Sequence, residues 1–263
     1  MLRGFYTAAS GMLAAQYRQD MLTHNLANSE TPGFKADQSV TRSFPQMLMQ
    51  ANQAQLVKNQ QPIGGLSTAV YLQEQITDLR QGDIKQTGNS TDLALMQQGA
   101  AENEAVLFSV QTENGVRYTR NGNLQADEQG RLATGSGYLV QGIDGNPIQV
   151  NNEQFTVGSN GAVTVDGQAI GTIQVVHSEN TNALEKDGDG LYRDEENVLQ
   201  SAHGNNDVTF AIQQYALENS NVNVAQTMNE MLQSYRIFEA NQKVLQAYDQ
   251  SLEKAVNEVG RIT

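Results

Sequence analysis

The chain has 263 residues, enough to bury a substantial core in one or two domains. A formal net charge of -13 repels phosphates at long range and argues against nucleic acid or an anionic membrane surface as a partner. With no cysteine, disulfides and thiolate chemistry are excluded, and no apolar run approaches the roughly 18 residues of a membrane span.

Between Leu2 and Leu26 the apolar residues Leu2, Phe5, Ala9 and Met12 step by three and four, then resume at Leu22 and Leu26 after polar Gln16 and Gln19. This predicts a helix with a narrow apolar stripe. The opening MLRGFYTAASGMLAAQYRQD is interrupted by polar residues and has no clear cleavable apolar region, so an exported chain is not expected to use an ordinary signal peptide. The helix stops at HNLANSETPGFK, residues 24–35. Pro32 disfavours helix at Thr31, Gly33 admits conformations closed to other residues, and the Asn and Ser side chains bond freed backbone groups. From Gln46 to Gln61 the chain is rich in Gln, Asn and Met with one charge, Lys58, and its composition fits either a weak helix or an extended stretch.

Between about Val70 and Phe210 the texture changes to short β-rich runs broken by Asn114-Gly115, Asn121-Gly122, Asp144-Gly145, Asn160-Gly161 and Asp166-Gly167. These dipeptides supply the positive φ that tight hairpin turns need, and they predict a mainly antiparallel β domain. No fixed period separates them, which favours a compact meander or barrel over a solenoid.

After Glu218 there is no glycine until Gly260, and Leu217, Val224, Met231, Phe238, Leu245, Leu252 and Val259 recur every seven residues. Such a line stays buried only if the helix supercoils against partners. The second line is less regular: Met228 and Tyr235 lie four after members of the first, Tyr248 and Ala255 three after, and Gln242 and Asp249 interrupt the alternative. The expected fold is therefore α+β. Terminal helical regions at 1–30 and 217–263 form a coiled-coil-like inner layer, 31–69 is an extended linker, and 70–216 is the central β domain. Helices at opposite chain ends with apolar faces call for other copies, and non-identical faces associating head to tail give a helical filament. The candidate assembly interface and hinge is Leu26, Asn28, Thr31, Pro32, Gly33 and Phe34 with the seven-residue line from Leu217 to Val259.

The segments HNLANSETPGFK, LRQGDIKQTGNSTDLAL, VRYTRNGNLQADEQGRLATGSGYLVQG and LENSNVNVAQTMNEMLQSYRIFEANQKVLQAYDQ resemble the flagellar basal-body rod and hook family, most closely its distal rod branch. The resemblance covers nearly the whole chain. It implies a structural, non-enzymatic axial protein, exported unfolded through the flagellar type III apparatus, that polymerises between motor and hook. Its partners are then further copies, adjacent rod and hook proteins and the export apparatus. A proximal rod or hook-type protein is the alternative, although hook proteins are usually longer. Two stretches depart from the family pattern. MQQGAAENEAVLFSV displaces Phe108 and inserts acidic residues, and the segment from Phe34 to Leu66 matches only loosely.

A reading of a different class is a calcium-binding β protein. EKDGDGLYRDEE places Glu185, Asp187, Asp189, Gly190 and Glu196 at EF-hand-like positions, although position one is normally Asp and the flanking helices are lacking. An acidic surface loop is the preferred reading. His24, His177 and His203 are scattered, and no nucleophile elbow or phosphate-binding loop occurs. No catalytic residue, cofactor or metal is expected.

Overall fold

The computed structural model describes residues 2–43, 47–50, 62–66, 69–98, 104–151, 154–205 and 209–259. The chain divides into two compact units. The first comprises Met1–Leu26, Asp37–Ile76 and Val224–Thr263, and the second Ala27–Ala36 and Thr77–Asn223. Residues 27–36 thus group with the sheet-forming part of the chain, and 37–76 with the helices.

In the first unit, helix α1 spans Leu2–Ala27 and helix α2 spans Val224–Val259. Neither contains proline, and α2 also lacks glycine, so 36 residues continue without a break. Strand Asp37–Ser43 pairs with Val70–Thr77, and Met47–Gln50 pairs antiparallel with Pro62–Leu66. The Gln46–Gln61 stretch thus contains a strand at its start, and 51–61 lies outside the described residues. Leu217 is not helical: it sits in the strand Ala216–Glu218, paired with Ile84–Gln86 in the second unit, so the helical repeat begins at Val224.

The second unit is built around the strand Ala105–Thr112. One edge pairs with Gly115–Thr119, and the other is shared by Val175–Ser178 and Leu139–Val140, all antiparallel. Because alternate side chains face opposite ways, this strand feeds two apolar clusters. Val106, Phe108 and Val110 enter the main core with Leu93, Leu132 and Ile173, while Ala105 and Leu107 pack with Leu79, Val176 and Tyr192. Phe108, displaced relative to the family pattern, is fully buried and pairs with Thr119 and Val175. Residues 99–103 of that stretch lie outside the described residues. Among the described residues the nine-stranded sheet runs from Leu184–Lys186 to Leu124–Ala126 without closing.

Four of the five dipeptides place their glycine at positive φ, at Gly115, Gly145, Gly161 and Gly167, whereas Asn121-Gly122 forms no turn. Asn114-Gly115 joins Ala105–Thr112 to Gly115–Thr119, and Asp166-Gly167, with φ of 50° and 78°, joins Ala162–Val165 to Gln168–Thr172. Gly122 has another reason to be glycine, since a Cβ there would collide with the carbonyl oxygen of Leu93.

Candidate assembly site: a helix seam and a buried charge cluster

Helices α1 and α2 run side by side in opposite directions. A Cβ on Gly4 would strike the Tyr248 ring, one on Gly11 would stand 2.9 Å from Asn241, and Ser234 Oγ donates to the Ala15 carbonyl at 2.9 Å. Arg18 and Glu230 close the series with a 3.1 Å ion pair. The contacts at Gly4, Gly11, Ala15 and Arg18 lie on one line of α1 with the buried Ala8, Leu22 and Asn25, alternating four and three residues, and Asn25 bonds the Asp37 backbone. This line lies beside the Leu2–Met12 stripe predicted from sequence. The helices select small residues because these let the backbones approach.

On α2 the matching line is Thr227, Ser234, Asn241, Tyr248 and Ala255, each three residues after a member of the expected seven-residue line. Met231, Phe238 and Leu245 share that face and are half-buried, whereas Val224 and Leu252 are exposed. The side chain of Val259 lies outside the described residues. Met228 and Tyr235, read from sequence as part of the second line, face solvent with Leu232, which is 59% exposed. With 3.6 residues per turn, Met228 and Tyr235 lie about 100° to one side of the seam with Leu232 farther round at about 150°, and exposed Ile237 and Val244 lie to the other side. On α1, Tyr6, Leu13 and Tyr17 are likewise exposed.

The turn after α1 belongs to the second unit. The Asn28 carbonyl accepts from Thr31 N and the Asn28 side chain from Thr31 Oγ1, both at 3.2 Å, so the chain folds back before Pro32. Gly33 adopts φ 69°, and a Cβ there would stand 2.6 Å from the Arg120 backbone. Phe34 is buried beneath Lys186, whose ammonium lies 4.9 Å from the ring centroid. Leu26, in the first unit, is half-buried.

Beside this turn is a charge cluster that no spacing in the sequence signalled. Lys35 Nζ lies 2.5 Å from Glu218 Oε1 and 2.6 Å from the Arg80 carbonyl. Arg120 Nε lies 2.6 Å from Glu218 Oε2, Nη2 donates to the Leu95 carbonyl at 3.1 Å, and Nη1 donates to that of Val106. Gly82 N donates to Glu218 Oε1 at 2.8 Å. The side chains of Lys35, Glu218 and Arg120 are 0%, 1% and 2% exposed. Burial lowers Lys35 from an ordinary 10.5 to about 8, with Arg120 adding to the effect against the upward pull of Glu218. For Glu218 burial acts upward, but the charges and hydrogen bonds of Arg120 and Lys35 together hold it below its usual value. Each member stands inside a segment quoted above, TPGFK, YTRNG or LENSN, yet only the fold brings them together.

The helical ends and the sheet each match a described family. The model "Flagella basal body rod protein" matches residues 5–35, "Flagellar hook protein FlgE/F/G D1 domain" matches 106–165, and "Flagellar basal body rod FlgEFG protein C-terminal" matches 213–258. The chain is 42% identical to the flagellar hook-basal body complex protein FlhO of Bacillus subtilis (strain 168), over 100% of both chains. The chain belongs to the flagellar basal-body rod and hook family. Its rod-family relatives include the flagellar basal-body rod protein FlgG of the same strain, 31% identical over 98% of this chain and 99% of the relative. The flagellar basal-body rod protein FlgF of Caulobacter vibrioides is 28% identical over 100% of both chains.

In this rod-family chain the acidic loop does not assemble a cation site. Asp187 pairs with Arg117, Glu185 lies 2.7 Å from Arg193, and Asp189 accepts from the Tyr138 hydroxyl at 3.2 Å. Among the described residues no three His, Asp or Glu side chains gather as metal ligands, and the calcium-binding alternative is set aside. The histidines remain apart. His24 lies 4.0 Å from Asp37, His177 is buried 3.9 Å from Glu104, and His203 Nε2 bonds the Ile173 carbonyl at 2.8 Å.

Proposed function

We infer that this protein is a structural, non-enzymatic axial component of the bacterial flagellar basal body, assembling helically into the rod that links motor to hook and transmits torque. The observation that carries the reading is the apolar surface on both sides of the helix seam. One face of α2 is matched by α1 within the chain, while Met228, Leu232 and Tyr235 on one flank and Ile237 and Val244 on the other stand in water. A helix flanked in this way suits a coiled-coil-like layer in which every helix has neighbours on two sides.

In this reading the partly covered Met231, Phe238 and Leu245 and the exposed Leu252 complete their burial against neighbouring copies. Residues 28–34 direct the chain from the helical layer into the β layer. The distal rod is the preferred position, supported by 31% identity to the FlgG relative against 28% to the FlgF relative, with a proximal rod or hook-type place as the alternative. Adjacent rod and hook proteins are the further partners. Export across the cytoplasmic membrane through the flagellar apparatus is part of this reading. Among the described residues no helix is long and apolar enough to cross a membrane.

The test is electron microscopy of the purified chain over a range of concentrations. Rod-like polymers are expected at high concentration, and a persistent monomer at every concentration counts against self-assembly.

A further inference from the structure

The cluster around Glu218 joins two pieces of chain that are far apart in sequence: the turn that follows α1 and the segment that leads into α2. Gly33 N donates to the Glu218 carbonyl at 2.7 Å, and Ala36 N donates to Asn221 Oδ1 at 2.8 Å. Asn221 Nδ2 in turn donates to the Asp78 carbonyl at 2.8 Å. The same two segments supply Lys35 and Glu218, which with Arg120 place two buried cations on one carboxylate. Asp78, which also acts on Lys35, is bonded by the Arg80 guanidinium at 2.5 Å, and Lys186 sits on the far side of the turn, donating to the Lys35 carbonyl at 3.0 Å.

Removing either segment has unequal consequences. Without 218–221, Lys35 and Arg120 are like charges buried side by side with no Glu218 carboxylate between them, an arrangement a water-excluded site does not tolerate. Without the 33–36 turn, Glu218 and Arg120 remain a matched pair, with Gly82 N still donating to the carboxylate. We propose that Lys35, Arg120 and Glu218 form a one-way latch: the turn after α1 seats on the β unit only where the segment leading into α2 is already in place, while that segment seats without the turn. The latch lies within the second unit and does not depend on polymerisation. It imposes an order on the fold. The approach to α2 docks first and the exit from α1 is fastened last, so a chain that has not placed its C-terminal part keeps a loose N-terminal turn.

Hydrogen–deuterium exchange of the full chain tests this. In Glu218→Gln, exchange across 33–36 is expected to accelerate by on the order of a hundredfold or more, with the strand Ala105–Thr112 still protected. In Lys35→Met, protection at 218–219, where Asn219 N donates to the Asp83 carbonyl at 2.8 Å, is expected to persist. The double variant Lys35→Met/Glu218→Gln removes the like-charge conflict and is expected to exchange more slowly across 33–36 than Glu218→Gln alone. If Glu218→Gln fails to fold, folding of the double variant supports the latch and its failure overturns it. The latch is also overturned by unchanged protection of 33–36 in Glu218→Gln, by equal loss at both segments in Lys35→Met, or by additive effects in the double variant.

Discussion

Lys35 is a charge the fold keeps out of water, and its burial has a defined pH signature. Its folded pKa of about 8 lies below the ordinary 10.5. Between those values the unfolded chain binds more protons, so the Lys35 contribution raises stability as pH climbs from 8 to 10.5 and is lost as pH falls back through 8. Urea unfolding at pH 7, 9 and 10.5 should show wild type gaining on Lys35→Met across that window; parallel curves would remove Lys35 from the account. Glu218 acts in the same sense at acid pH: with its folded pKa depressed, its contribution is present above the ordinary 4.5 and is lost as pH falls through the lower folded value. Gly33→Val combines a positive φ, costing about 1–3 kcal/mol for a non-glycine residue, with a Cβ 2.6 Å from the Arg120 backbone. It is expected to unseat the 33–36 turn and stop rod assembly while the sheet keeps its circular dichroism spectrum; assembly at the wild-type rate would make the turn a passive linker. The acidic loop, with Asp187 held by Arg117, should leave the melting temperature unmoved in millimolar calcium. A site half-filled at micromolar calcium would instead add about 4 kcal/mol at a thousandfold excess.

At the scale of elements, the seam between α1 and α2 is a close approach of backbones, filled by Gly4, Ala8, Gly11 and Ala15 against Ser234, Asn241 and Tyr248. Enlarging a seam residue forces the helices apart. Ala15→Leu is expected to destabilise the helical unit by about 1–3 kcal/mol, seen as an earlier loss of helical signal on heating, while Leu13→Ser, at an exposed position on the same helix, leaves that signal in place. Equal effects of the two would mean that α1 is not held by this face. The strand Ala105–Thr112 shows the complementary case, where alternation serves two cores at once. A run such as AVLFSV reads as uniformly apolar for that reason.

For the whole molecule, the decisive surface is the one the single chain leaves uncovered. Met228→Asp/Leu232→Asp places two charges on a flank of α2 without touching the α1 seam. The monomer is expected to keep its helical content, because both positions are solvated, and to form no polymer by sedimentation or electron microscopy, because a neighbouring helix cannot bury unpaired carboxylates. Polymers at wild-type concentration would move the assembly surface elsewhere. Phe238→Asp and Leu245→Asp differ from this pair, since those half-buried side chains share the seam face, and they are expected to weaken the monomer's helices as well as assembly.

Local chemistry was legible in the sequence alone. The Asp166-Gly167 hairpin, the stop at Asn28 to Gly33 and the long uninterrupted α2 each follow from backbone preferences of a few neighbouring residues, and those preferences survive in the fold. The family was legible for the same reason, since its motifs are contiguous segments. The seam was not. Periodicity marks apolar faces, whereas helices that approach closely choose small residues, so Gly4, Ala8 and Gly11 carried no hydrophobic signal and the stripe beside them did. Leu217 kept the seven-residue spacing yet belongs to a strand, because pairing with Lys85 outweighs a spacing that continues only beyond the helix start. The Lys35–Glu218–Arg120 cluster is set by tertiary structure alone: each charge looks like ordinary surface in its own segment, and only a fold that withdraws all three from water makes one carboxylate answer for two cations.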